Sequence, residues 1–545
     1  MNFLERIFDN LKDRPERAKL IEIHGGNMQG TDGAGILDLV ARARGFIDDA
    51  GVKPGDRVAL LSTNRTRWVA ADLAILATGA TVVPLYDRQD PGELAAMLTN
   101  AEPALLLVAD DKLRKTILEA WSDKPDSCKV ATFDELFDAK PSHRAPHPVE
   151  PDDIVTIIYT SGTSGEAKGV MLSRANVDYM IPETIKRIAL ATGGRPGVDR
   201  VFHFLPFCFA ASRIMLWTQL SRPNPLMMST DLTNLVVEMA VAKPNYFLNV
   251  PAVLERIRNG VAAKMEDEGG VGLALYERGV AAYKKLLAKE NTFFDNVALG
   301  LAERLVFPKI KEKIGPNLEF LISGSAPLTE DTQRWFQMIG ISVYQAYGLT
   351  ETTGIVSLDT PTDVVPGHVG VPLEGQETQI GEGGELLVRG PNTFKGYWRK
   401  DNETAKALDA DGWFHTGDQV EINGKNLRII GRIKNLIIPE SGHNIAPEPL
   451  EERFMKQCPK AESCMLVGHG RPFLTIIVTG DVSADAVESA IEAINGSVPH
   501  YRKIRKWHRS REGFSVENGL LTANQKLRRV VIEDHFKQEI DTLYA

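Results

Sequence analysis

From Gly35 to Val108 the chain switches back and forth between two hydrophobic periods, and this restricts its fold more than any other feature. GILDLVARARGFIDDAG has apolar residues at helical spacing and stops on a glycine. DRVALLS has the composition of a short buried strand, NRTRWVAADLAILATGA returns to the helical period, and TVVPLY is strand-like again. Such alternation predicts α/β layers around a largely parallel sheet. It continues further on: PNYFLNVPAVLERI reads strand, turn, helix, and the stretch from Asn259 to Asn317 is helical and charged. LEFLISGSAPL and ISVYQAYGLTETTG are strands that end in tight polar turns. Between these blocks, DKPDSCKVATFDELFDAKPSHRAPHPVEPDD is rich in Pro and charge and reads as a surface connection. From Gly367 the texture becomes turn-rich with short strands, so a small β-rich unit is expected. Helix–strand alternation resumes after GRIKN. The boundary is therefore placed near 432–434, giving a domain 1–432 of two α/β layers plus the β-rich unit, and an α+β domain 433–545.

A chain of 545 residues should hold more than one folding unit. Its formal net charge of −9 disfavours general nucleic-acid binding and electrostatic docking to anionic lipid. The four cysteines form no C-x-x-C pair and have no histidine cluster beside them, so reduced thiols in a cytoplasmic protein are expected rather than zinc or disulfides. The N-terminus lacks signal-peptide features. No uncharged apolar run approaches the ~20 residues that span a bilayer. Phe3, Leu4, Ile7, Phe8 and Leu11 share one helical face, which is expected to pack on its own domain and is the alternative candidate for peripheral membrane contact. The sequence assigns no oligomeric state.

The run IVTIIYT empties into SGTSGEAKGV. This loop fits neither G-x-x-x-x-G-K-[ST] nor G-x-G-x-x-G. Its glycines would still let backbone N–H groups converge on an anion, its hydroxyls add donors or a metal ligand, and Lys168 supplies a point charge. A solvated flexible loop is the alternative. YTSGTSGEAKGV resembles the signature loop of the acyl-adenylate-forming (AMP-binding) superfamily, and the superfamily's other motifs follow in order: SGSAPL, YGLTET, GWFHTGD, GRIKNLIIPESGHNIAPEPLEE and LTANQKLRR. NRTRWVAADLAILATGATVVPLYD, IAPEPLEE and FSVENGLLTANQKLRR resemble the long-chain fatty acyl-CoA synthetase branch.

The resemblance implies an enzyme that joins a fatty acid to AMP from ATP, releases pyrophosphate, and then passes the acyl group to CoA. It also implies roles for individual residues. Thr160, Ser161, Gly162, Thr163, Ser164, Gly165 and Lys168 would hold the departing phosphates. Thr163 and Glu351 would engage Mg²⁺, which favours oxygen ligands. Thr350 would touch the α-phosphate. Tyr347, with Gly348 beside it, would stack on adenine in a slot lined by Gly324, Ser325 and Ala326. Asp418 would accept the ribose hydroxyls, with Arg432 beside it. Lys526 would bridge the acyl carboxylate and the α-phosphate; outside its motif it would be one more cation of a basic tail. Lys434 would be the hinge of a mobile C-terminal domain, and Gly442 would lie beside the path of the CoA thiol, the alternative being a simple turn. Phe209 and Ser212 replace the family's usual His and Glu in LPFCFAASRI, which bears on the shape of the acyl pocket. YRKIRKWHRSR is a candidate for CoA phosphates or a membrane surface, against a solvated basic face. An acyl-AMP ligase that loads a carrier protein, or a non-catalytic acyl or nucleotide sensor, are the rival readings.

Overall fold

The computed structural model describes residues 1–160, 167–195, 197–229, 231–522 and 525–545. Its described residues form four sheets. The first runs in the order Lys129–Thr132, Leu105–Val108, Arg57–Leu61, Thr81–Leu85, Ile154–Thr160, Lys168–Ser173. It is parallel throughout except for the last pair, an antiparallel hairpin in which Thr160 faces Lys168. The second is nine-stranded. Its central strands Ala18–His24, Leu226–Ser229, Val201–His203, Tyr246–Asn249, Phe320–Ser323 and Ser342–Tyr347 are parallel, and antiparallel strands close both edges.

The two large sheets share one core. Side chains alternate across a strand, so the central strands of the second sheet contribute to two clusters. Leu20, Met228, Leu248 and Ile322 point toward the first sheet. Phe202, Met227, Phe247 and Leu321 point to the helices between 251 and 314. The helices Thr66–Ala77 and Ala210–Leu220 pack in the shared layer, and nearly every residue of both is buried. That explains why TRWVAADLAILA is apolar on all sides.

One expectation holds and one changes. Phe3, Leu4, Ile7, Phe8 and Leu11 are all buried in the shared core, with Phe3 against Trp217 at 5.0 Å between ring centroids. That face is consumed by its own domain, so it offers no membrane contact. The segment read as a surface connection contains the strand Lys129–Thr132, which edges the first sheet, and the helix Phe133–Phe137, which buries Phe133, Leu136 and Phe137. A four-residue strand is too short to display a period, and its Pro- and charge-rich flanks dominated the reading.

Past 370 comes an antiparallel sheet of Glu377–Ile380, Glu385–Arg389, Phe414–Asn423 and Asn426–Arg432. A three-stranded sheet of Ser463–Val467, Leu474–Thr479 and Ile504–Ser510 then builds its own core with Leu450, Phe454 and Ile491. Among the described residues no helix is long and apolar enough to cross a membrane.

Candidate functional site

The carboxyl ends of the parallel strands open into a cleft of about 3170 Å³, closed on its far side by the antiparallel sheet and by the segment around Lys526. Crevices at the carboxyl ends of parallel strands are the usual ligand positions in α/β sheets. Phe320–Ser323 delivers Gly324, Ser325 and Ala326 to its wall, and Ser325 is held at φ +72°. The neighbouring strand Ser342–Tyr347 delivers Tyr347, Gly348, Thr350 and Glu351. Gly348 cannot be replaced without backbone movement, since a Cβ there would lie 2.3 Å from the Gly354 carbonyl oxygen.

Asp418, on Phe414–Asn423, is only 3% exposed and lies opposite Arg432 on the next strand. Arg432 Nε approaches its Oδ1 at 3.0 Å, and the Tyr347 hydroxyl donates to its Oδ2 at 2.7 Å. Burial, reinforced by the Asp418 carboxylate, holds the Tyr347 phenol well above its ordinary range, so it stays a donor. The carboxylate is thus fixed by two charge-assisted contacts at the edge of the cleft.

A second group surrounds the hairpin lysine. Lys168 pairs with Glu403 and lies 5.0 Å from the Tyr397 ring centre. The Tyr397 hydroxyl donates to Glu351 Oε1 at 2.8 Å. Glu403 also meets Lys406 at 2.8 Å, and the Lys168 hydrogen bond, followed by that of Lys406, draws its carboxyl down to about 2. Tyr397 and Glu403 therefore link Glu351 to Lys168, and neither was singled out in the sequence. They lie in KGYWRKDNETAK, where only a Gly–aromatic step and two acidic residues hinted at a site.

Lys526 faces the cleft from a turn in which Thr522 N donates to the Lys526 carbonyl at 2.8 Å and Lys526 N donates to Thr522 Oγ1 at 3.1 Å. The surrounding protein lowers its pKa, Arg432 adds to that effect, and Asp418 and Glu351 oppose it. Lys434, in the turn Ile433–Asn435, lines the same cleft, and burial and the nearby Lys168 lower its pKa. Two ion pairs hold the C-terminal part in this position: Arg528 to Glu93 at 3.0 Å and Lys456 to Asp331 at 2.5 Å.

Of the residues expected at the site, Thr160, Lys168, Gly324, Ser325, Ala326 and Tyr347 line one cleft with Gly348, Thr350, Glu351, Asp418, Arg432, Lys434 and Lys526. Ser161, Gly162, Thr163, Ser164 and Gly165 fall outside the described residues. Gly442 sits on an exposed turn away from the cleft, at φ +74° with no atom within 4 Å of a Cβ, so in this arrangement the turn alone accounts for glycine. Phe209 lines the cleft, and Ile188, Ile214, Met215, Leu248 and Ile322 are among the other apolar residues of its lining.

His203 is not a base for this cleft. It is fully buried, lies 3.1 Å from the Ser212 hydroxyl, and stacks on Phe207. Burial lowers its pKa to about 4. Between about 4 and its ordinary value the folded state binds fewer protons than the unfolded chain, so stability falls as pH drops through that window, by about 3 kcal/mol in all. A His203→Gln variant should lose this part of the acid limb, read as a shallower dependence of denaturant midpoint on pH between 6.5 and 4.

The AMP-binding enzyme family matches residues 16–398, and the AMP-binding enzyme C-terminal domain matches 434–545. The long-chain-fatty-acid–CoA ligase FadD15 of Mycobacterium bovis is 28% identical over 600 residues, covering 100% of this chain and 97% of its own. The peroxisomal long chain acyl-CoA synthetase 7 of Arabidopsis thaliana is 29% identical over 575 residues, covering 91% of this chain and 79% of its own. The adenylation domain of a carboxylate reductase from Mycobacterium chelonae shares the fold, with a TM-score of 0.79 at 20% identity over 100% of this chain and 91% of that one.

Proposed function

The chain belongs to the AMP-binding enzyme family, and we propose that it is a cytoplasmic fatty acid–CoA ligase that uses ATP and Mg²⁺, forms an acyl-AMP with release of pyrophosphate, and then passes the acyl group to CoA. The observation that carries this reading is the meeting of Lys526 with the Asp418–Arg432–Tyr347 group in one cleft. The long-chain fatty acid ligases among the relatives and the apolar side chains in the lining of the cleft support a fatty acid as substrate. Four buried free thiols accord with a reducing compartment.

Both reactants of the first step are anions, so catalysis is mainly positioning and charge neutralisation. Asp418 and Arg432 orient the ribose, Tyr347 supports the adenine, and Thr350 meets the α-phosphate. Lys168, with Thr160 to Gly165, takes the β- and γ-phosphates, exchanging its partner Glu403 for them. The fatty acid oxygen bonds to the α-phosphorus as the bond to the pyrophosphate oxygen breaks, and the Lys526 ammonium lies between the two negative groups. Glu351 suits Mg²⁺: it is an oxygen donor on the cleft wall with one carboxylate oxygen held by Tyr397, and Mg²⁺ commonly takes one or two carboxylates plus substrate phosphates. With Thr163 it would hold the ion, which neutralises phosphate charge. In the second step the domain 433–545 turns about Lys434 relative to 1–432, withdraws Lys526 and brings Gly442 to the thiol, which displaces AMP.

The test is ATP–pyrophosphate exchange across a panel of acids. Exchange that depends on fatty acids is expected, and none with any acid would overturn the proposal in favour of a sensor. Product assays with CoA against a holo carrier protein identify the acceptor; acyl transfer to the carrier alone would replace CoA in the scheme.

The lowered pKa of Lys526 predicts a pH effect. Only the ammonium neutralises the anions, so kcat/KM for ATP should fall as pH rises through this pKa, with a limb below the 10.5 of an ordinary lysine. The pH profile of exchange shows it, and a plateau up to that ordinary value would count against the role.

A further inference from the structure

Arg528 and Arg529 follow Lys526 closely in the chain, and they reach in opposite directions. Arg529 turns into the C-terminal part. Its Nη1 and Nη2 donate to Glu451 Oε1 and Oε2 at 2.8 and 2.5 Å, and Glu451 is a buried residue of the helix Glu448–Gln457. Arg528 instead meets Glu93, in the helix Pro91–Ala101, at 3.0 Å from Oε1. The other carboxylate oxygen of Glu93 is occupied as well, since Gln89 Nε2 donates to Oε2 at 2.8 Å. Arg528 also forms the base of the turn that carries the lysine. Its backbone N donates to the Leu520 carbonyl at 3.0 Å, and Leu527 bridges Leu521, below the two hydrogen bonds between Thr522 and Lys526. The base of this turn is thus tied to the C-terminal part by one arginine and to the helix Pro91–Ala101 by the other.

We infer that Glu93 and Arg528 are a positioning pair, which fixes the Lys526 turn against the domain 1–432 and so sets the ammonium in the cleft for acyl-AMP formation. The inference rests on the ligase reading given above and on the role of Lys526 within it. A lysine side chain has four rotatable bonds, and holding it in one place costs rotamer freedom. The surrounding protein, and Arg432 with it, also disfavours the charge of this ammonium. Contacts made elsewhere must offset both effects, and a pair anchored at the base of the same turn does so without touching substrate. Arg529 cannot serve in this way, because it ties the turn to its own part of the chain and moves with it. The Arg528 contact crosses to the other part. It breaks when 433–545 turns away for the second step, so it favours the first half-reaction only.

The experiment measures acid-dependent ATP–pyrophosphate exchange and, separately, thioester formation from supplied acyl-AMP and CoA. It uses the full chain and the variants Arg528→Ala, Glu93→Ala and the two combined. On the scale of a partly exposed ion pair, kcat for exchange should fall roughly three- to fivefold in each single variant. The combined variant should fall no further, because the two residues act through one contact. KM for ATP should stay within about twofold, since the groups that hold the ribose and adenine are untouched, and thioester formation should not fall. Arg528→Lys keeps the charge and should keep most of the exchange rate. Unchanged exchange in both single variants, additive losses in the combined one, or an equal loss in thioester formation would overturn the inference. So would an equal loss of exchange in Asp331→Ala, which breaks the ion pair to Lys456 and leaves the turn alone; Arg528 would then be one docking contact among several. A wild type that exchanges no pyrophosphate with any acid would remove the ligase reading, and the inference with it.

Discussion

Lys526→Ala should slow acid-dependent ATP–pyrophosphate exchange by roughly 10²–10³-fold, the scale set by removing one preorganised charge stabiliser from a transition state. The argument is electrostatic. A carboxylate and a triphosphate repel each other, and the reaction brings them to bonding distance. Lys526 enters the cleft from a turn of the C-terminal part, and its ammonium faces Asp418, Glu351 and Arg432. The protein around the ammonium, with Arg432, lowers its pKa and so opposes the charge until substrate anions arrive. Thioester formation from supplied acyl-AMP should change only a few-fold, because Lys526 is withdrawn for that step. Equal losses in both half-reactions would mean that the substitution damages the fold, and an unchanged exchange rate would remove Lys526 from the chemistry. Arginine should rescue poorly, because a planar fork cannot substitute for a compact point charge between two anions.

The sequence made most of this site readable because its residues sit at strand ends. Parallel strands announce themselves as short apolar runs, and SGSAPL and YGLTET each end one, so position in the sequence predicts position on the cleft rim. The residues linking those rims were harder to see. Tyr397 reaches Glu351 across 46 positions, and Lys168 meets Glu403 across 235. Neither contact has a local period or turn to signal it. Gly442 illustrates the opposite problem: its φ of +74° satisfies a turn and the thiol path alike, and the local signal is the same for both. The edge strand Lys129–Thr132 was hidden for a third reason, since its placement depends on pairing with Leu105–Val108, a tertiary event that four residues cannot encode alone. The N-terminal stripe was legible as a helix face, yet only the packing on Trp217 shows what covers it.

Asp72→Ala should cost about 3–5 kcal/mol of stability, the range for removing one partner of a buried ion pair. Asp72 and Arg213 sit on the two helices of the shared core layer at 0% and 1% exposure, 2.5 Å apart. Asp72 also accepts from the Trp217 indole at 3.0 Å, and the guanidinium lies 4.3 Å from the Trp217 ring centre. Burial pushes the Asp72 carboxyl up, and the Arg213 guanidinium opposes that push. Truncating the carboxylate leaves a cation that cannot shed its charge. It would remain in a buried layer, with its Nε and Nη1 already lacking hydrogen-bond partners. The same layer holds Val69, Leu73, Ile214 and Leu216, so the cation would be left in largely apolar surroundings. Removing both charges at once, as Asp72→Leu/Arg213→Met, avoids the stranded cation and should recover more than half of the loss. Denaturant midpoints for the two single variants and the double measure the coupling directly. A single-variant cost below about 1 kcal/mol would mean that water or a shifted helix solvates Arg213, and that the two sheets are less tightly joined by this layer than the burial of its helices implies.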